Sequence, residues 1–129
     1  MPVDHKAGTI LYVEDKPDNR MLVRRVLMAE GYEVLEASNA KSAFRQVEET
    51  IPSLILMDIN MPEVDGYMLT VEFRRLPQLG GVPIVALTAN VMKGDKERSI
   101  QAGCDGYIQK PIDIDTLVLQ VEKYLRMGR

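Results

Sequence analysis

Two apolar runs lead straight into carboxylates. TILYV, from Thr9 to Val13, is followed by Glu14-Asp15, and LILM, from Leu54 to Met57, is followed by Asp58. Asp is disfavoured in strands and costly to desolvate, so an ionised side chain at the edge of a buried strand needs a partner. Two further strand-like segments lead into the other candidates: PIVAL into Thr88-Ala89, a hydroxyl and a small residue, and GYIQ into Lys110-Pro111. Carboxylates with no His or Cys beside them are hard oxygen ligands suited to Mg²⁺ or Mn²⁺. A hydroxyl and a fixed ammonium suit phosphoryl oxygens, and the small side chain of Ala89 lets its backbone N–H approach the same group. With an acidic nucleophile available, the chemistry is acyl phosphate formation on a carboxylate. Alone, each feature has an ordinary reading: Asp58 as a turn residue, Glu14-Asp15 as a helix cap, Thr88 as a cap and Lys110 as a surface lysine. What decides between the readings is whether the fold brings them together.

The order of elements says that it does. Thr9 to Val13 lacks alternation and reads as a strand buried on both faces. Pro17 opens a helix, with Leu22, Val26 and Ala29 on one face, and Gly31 ends it. Glu33 to Ala37 is a second strand. Ser38 or Asn39 caps a helix carrying Ala40, Ala43, Phe44 and Val47 at helical spacing. Leu54 to Met57 is the third strand, and Gly66 to Leu76 a helix closed by Pro77. Pro83 to Leu87 is the fourth strand. Asn90 to Ala102 reads as a weak helix with Gly94 inside it and only Val91, Met92 and Ile100 clearly apolar. Gly106 to Gln109 is the fifth strand, and Ile114, Leu117, Val118, Val121 and Leu125 mark the last helix.

Strands alternating with helices imply a flavodoxin-like α/β fold, a doubly wound five-stranded parallel sheet of order 2-1-3-4-5 with right-handed crossovers. In such sheets the site lies beyond the carboxyl ends of the strands, where the order reverses, here between the first and third strands. Glu14-Asp15 and Asp58 therefore converge in one crevice. Like charges that close together repel strongly unless a cation sits among them. Thr88-Ala89 and Lys110 end the two strands beyond.

Composition removes other classes. The 129 residues fit one domain, 46% hydrophobic and 27% charged, with a net charge of −3 and thus no basic footprint for nucleic acid. Cys104 is the single cysteine and His5 the single histidine, which argues against disulfides, zinc clusters and histidine-dependent triads. Apolar stretches of four or five residues fall far short of the roughly 20 that span a bilayer. With no leader pattern at the N-terminus, the expectation is a cytoplasmic protein that contacts no membrane.

The set Glu14-Asp15, Asp58 in LMDINMP, Thr88-Ala89 in ALTAN and Lys110-Pro111 in QKPI resembles the receiver domain of two-component response regulators, over about Thr9 to Leu125. The resemblance implies that Asp58 is the phosphoacceptor, taking a phosphoryl group from a phosphohistidine on a histidine kinase or phosphotransfer protein. Asp15 and Asp58 would bind Mg²⁺ directly (Mn²⁺ as a substitute), Asn60 through its backbone carbonyl, and Glu14 through water. Thr88, Ala89 and Lys110 would hold the phosphoryl oxygens, Thr88 and Tyr107 would form the switch, and the Lys110–Pro111 bond would be cis. The implied chemistry is assisted self-phosphorylation and autodephosphorylation, with no enzymatic turnover of a separate substrate. Upstream recognition would use the first helix, with Arg20, Met21, Arg24 and Arg25, and the loop after the fifth strand. Output would run through the fourth helix, fifth strand and fifth helix to a protein target. The expected organisation is a single receiver over 1–129 with no output domain, monomeric or weakly dimeric. The segment from Ala89 to Ile112 is similar to single-domain regulators of cell-cycle type and to receivers attached to hybrid kinases.

Rival readings fare worse. A phosphatase or dehalogenase with an Asp nucleophile places a second acid two residues on, where this chain has Asn60. No G-x-x-x-x-G-K motif exists for a P-loop. A flavin phosphate would be repelled by Glu14-Asp15. A receiver-like module that is never phosphorylated would keep the fold but would have no need of the complete residue set.

Overall fold

Runs of β-branched and long apolar residues form five strands: β1 (Thr9–Val13), β2 (Glu33–Ala37), β3 (Leu54–Asp58), β4 (Ile84–Thr88) and β5 (Gly106–Gln109). Between and after them run α1 (Pro17–Ala29), α2 (Ala40–Glu49), α3 (Gly66–Arg74), α4 (Asp95–Ala102) and α5 (Ile114–Met127). These coordinates are a computed structural model that describes residues 8–89 and 94–128. The strands pair in parallel in the order β2-β1-β3-β4-β5, so the expected doubly wound sheet is present.

Both sheet faces are covered, which is why the central strands lack polar alternation. On one face Leu11, Val13, Ile55, Met57, Ile84 and Ala86 pack with Ala43 and Val47 of α2 and Leu69 and Phe73 of α3. There the Phe44 and Phe73 rings meet edge to face at 5.1 Å. On the other face Tyr12, Leu54, Leu56, Val85 and Leu87 pack with Val23 and Leu27 of α1 and Leu117 and Val121 of α5. Each buried Val, Leu, Ile, Met or Phe among them contributes roughly 1.5–3 kcal/mol by leaving water. At the end of the sheet opposite the carboxylates, Arg74 ties α3 to the following loops. It donates to the Gly103, Leu79 and Val82 carbonyls and pairs with Asp105 at 2.6 Å.

Several local expectations shift. The buried stripe of α1 runs through Val23 and Leu27, while Leu22 and Ala29 face outward. Val23 and Leu27 reach the Tyr12, Tyr32 and Leu54 side of the core, and that packing fixes the helix rotation. Asp58 and Thr88 belong to their strands instead of following them, because the parallel ladders extend to both. α3 stops at Arg74, and a short 3₁₀ turn occupies Pro77–Leu79. Gly94 is not interior to α4. It precedes Asp95 with φ +86°, a left-handed conformation that favours glycine and sets it off from the helix. Asn90, Val91, Met92 and Lys93, expected in that helix, lie outside the described residues.

Candidate functional site

Parallel register places the polar residues side by side. Val13 pairs with Met57, Asp58 with Leu87, and Thr88 with Gln109, so the next residues along each strand meet at one edge of the sheet. There Glu14, Asp15 and Asp58 each bring a carboxylate oxygen within 4.8 Å of the others. Lys110 Nζ lies 2.8 Å from Asp58 Oδ1 and 3.9 Å from Glu14 Oε1. The Asn60 backbone N–H donates to the same Asp58 oxygen at 2.9 Å. Two donors on Oδ1 fix the orientation of a carboxyl that is only 1% exposed.

Glu14 is fully buried. Its Oε1 accepts from the Tyr12 hydroxyl and from Asn19 Nδ2, both at 3.1 Å, and its Oε2 accepts from the Lys16 backbone N–H at 3.3 Å. Burial first, and then the hydrogen bond and charge of Asp58, push the Glu14 carboxyl up to about 7. The Tyr12 phenol is likewise raised, by burial and then by the charge of Glu14.

The donor set fits a hard divalent cation. Among the described residues, Asp15 Oδ1 is buried without a hydrogen-bond partner. An orphaned carboxylate oxygen beside two more carboxylates, with Lys110 as the cation among them, leaves negative charge and an oxygen for Mg²⁺ to satisfy.

The remaining expected residues gather around this cluster. Thr88 is fully buried at the end of β4. The Lys110 N–H donates to the Thr88 carbonyl at 2.8 Å, and the Lys110–Pro111 peptide bond is cis. The Ala89 N–H, expected to face a phosphoryl group, is instead donated to Asn60 Oδ1 at 3.2 Å. Tyr107 is half-buried on β5 against the α3 side of the core, with Lys96 Nζ 5.5 Å from its ring centroid.

Three contributors escaped sequence reasoning. Tyr12 shares a strand face with Glu14 by period-2 alternation, a signal hidden inside an apolar run. Asn19 lies on the first turns of α1. Arg20, expected as a recognition cation, donates to the Glu14 carbonyl at 2.7 Å and pairs with Glu36 at 3.4 Å. Beside the cluster, Lys16, Asn19, Leu22, Ala89, Pro111 and Ile112 help line a cleft of about 380 Å³.

A doubly wound sheet with a lysine-paired acidic crevice at its switch point is the architecture of a signalling receiver. The sequence profile of the response regulator receiver domain matches residues 10–122, and the chain belongs to that family. Its role is that of a receiver in two-component signal transduction. The chain is 39% identical over 117 residues to the polar-differentiation response regulator DivK of Brucella anthropi, covering 91% of this chain and 95% of that one. A crystal structure of a putative response regulator from Chloroflexus aurantiacus superposes with a TM-score of 0.85 at 31% identity, covering 92% of this chain and 98% of that one. The receiver domain of a sensor histidine kinase from Pseudomonas aeruginosa, described with a magnesium ion coordinated in its active site cleft, superposes with a TM-score of 0.83 at 36% identity, covering 92% and 98%. No helix among the described residues is long and apolar enough to cross a membrane.

Proposed function

We propose that Asp58 is the phosphoacceptor of this receiver and that it takes a phosphoryl group from a phosphohistidine on a histidine kinase or phosphotransfer protein. The observation that carries this reading is the buried Asp58 carboxyl, within 4.8 Å of the Glu14 and Asp15 carboxylates and 2.8 Å from Lys110 Nζ. An Asp58 oxygen attacks phosphorus, the P–O bond forms, and the P–N bond to the donor imidazole breaks. The imidazole leaves with the bonding pair and is protonated. Asp15, Asp58 and the Asn60 backbone carbonyl would hold Mg²⁺, with Glu14 acting through water and Mn²⁺ as a substitute. When bound, the ion supplies charge neutralisation at the phosphoryl oxygens. Lys110 adds its ammonium there, Thr88 its hydroxyl, and Ala89 its N–H once Asn60 releases it.

The exposed side chains of Met21 and Leu22, beside the cleft that Pro111 and Ile112 also line, suit an apolar helix of the donor protein. Arg20 and Arg24 are paired with Glu36, which leaves Met21 and Leu22 as apolar contacts on this exposed face. Output passes to a protein target through α4, β5 and α5, with Thr88 and Tyr107 as the coupled switch. Autodephosphorylation resets the domain, which works in the cytoplasm as a monomer without its own nucleic-acid or membrane contact.

Incubation with acetyl phosphate tests the assignment. Labelling is expected with Mg²⁺, is lost with EDTA, and is lost in Asp58→Asn while the circular dichroism spectrum is kept. Full-stoichiometry labelling of Asp58→Asn would overturn it.

A further inference from the structure

Tyr12 is unusual for its place. It is a fully buried aromatic on β1, an interior strand of the sheet, and its ring packs among apolar side chains while its hydroxyl reaches a carboxylate. The period-2 alternation of β1 puts Tyr12 and Glu14 on one face, and the phenol reaches two residues along the strand to donate to Glu14 Oε1 at 3.1 Å. Asn19 donates to the same oxygen from α1, and the Lys16 N–H takes the other. Both Glu14 oxygens are thus engaged by donors from β1, the turn after it and the start of α1. Asp15, by contrast, keeps a buried oxygen without a partner. Two adjacent carboxylates in one crevice have therefore been given opposite fates: one is tied back and one is left open.

We propose that Tyr12 is a positioning residue that holds Glu14 out of direct contact with the bound cation and thereby favours Mg²⁺ over Ca²⁺. The inference rests on the metal reading of the site given above. Mg²⁺ is small, keeps several waters and needs few carboxylates. Ca²⁺ takes six to eight oxygens and gains from every added carboxylate. A Glu14 freed from Tyr12 can swing toward the cation and supply a third carboxylate, which improves the site for the larger ion. Holding it back is the kind of work that residues behind metal ligands do, and losing them changes metal affinity by roughly 10–100-fold.

Isothermal titration of the full chain with MgCl₂ and CaCl₂ separately, before and after Tyr12→Phe, tests this without any phosphorylation assay. The ring is kept, and a thermal melt reports whether the fold is kept. The Ca²⁺-to-Mg²⁺ affinity ratio is expected to rise about tenfold in Tyr12→Phe. Asn19→Ala removes the other donor to Oε1 from the half-buried start of α1 and is expected to move the ratio in the same direction. Mg²⁺ binding by all three proteins with an unchanged ratio would overturn the proposal and leave the metal reading standing. Absence of Mg²⁺ binding by the parent chain would overturn both. Should Tyr12→Phe fail to fold, an unchanged ratio in Asn19→Ala overturns the proposal by itself.

Discussion

At the scale of residues, a carboxyl can end a buried strand only because donors meet it there. Asp58 has Lys110 and the Asn60 N–H on one oxygen, and Glu14 has three donors of its own. Cys104 shows the opposite case, an ionisable group whose burial outweighs the Thr70 contact and the Arg74 charge that favour its thiolate. Burial pushes its thiol up to about 11 from an ordinary value of 9. A folded-state value above the unfolded one contributes stability that is fully present below pH 9 and is lost as the pH rises through about 11. Iodoacetamide should therefore alkylate Cys104 at pH 8 about 100-fold more slowly in the native protein than in urea, from thiolate content alone. Equal rates would show the thiol to be accessible and ionised. The carboxylates, Thr88 and Lys110 were legible in the sequence because each lies at the end of a segment readable as a strand. The Tyr12 and Arg20 contacts were not, because a phenol inside a core strand and a guanidinium on a charged helix look like packing and solvation. The Asn60–Ala89 hydrogen bond joins two loops whose approach no local pattern encodes.

At the scale of elements, α4 buries the fewest side chains of the five helices among the described residues. Among its described side chains only Ser99 is buried, and Ile100 is 56% exposed. Its C-terminal end is held, since Gly103 donates its N–H to the Ile100 carbonyl and accepts from Arg74 with its own carbonyl. Few buried contacts mean low local stability, the property a switching element requires. Hydrogen exchange with the phosphoryl mimic beryllofluoride should change protection across residues 94–110, more at the Gly94 end of α4 than at Gly103. Changes confined to the loops around Asp58 would remove the switch from this face. On α1, the outward turn of Leu22 makes a sharper test of partner docking than its arginines do. Leu22→Asp should slow transfer from a cognate phosphohistidine at least about tenfold, by loss of an apolar anchor, while acetyl phosphate labels it at the parent rate. Equal loss with both donors would mean a damaged fold. The strands were readable from β-branched apolar runs, and α2 from its spacing and cap. The rotation of α1 was not, because Leu22-Val26-Ala29 and Val23-Leu27 are both helical stripes, and only packing against Tyr12, Tyr32 and Leu54 chooses between them.

At the scale of the whole molecule, the parallel sheet does two things at once. Its covered faces make the strands rigid, and its change of direction between β1 and β3 leaves a crevice into which their ends deliver three carboxylates. The switch-point rule made this site legible before any coordinates, because it depends on strand order alone. Under the proposed assignment the molecule is a rigid frame presenting one nucleophile, Asp58, with α4 nearby to register its modification. The most direct test is to phosphorylate the chain from a phosphohistidine donor with Mg²⁺, reduce the acyl phosphate with borohydride, and map the product by peptide mass spectrometry. Conversion of Asp58 to homoserine, with Glu14 and Asp15 intact, is the predicted result. Reduction at Glu14 or Asp15, or phosphate recovered on a hydroxyl with Asp58 unchanged, would contradict it.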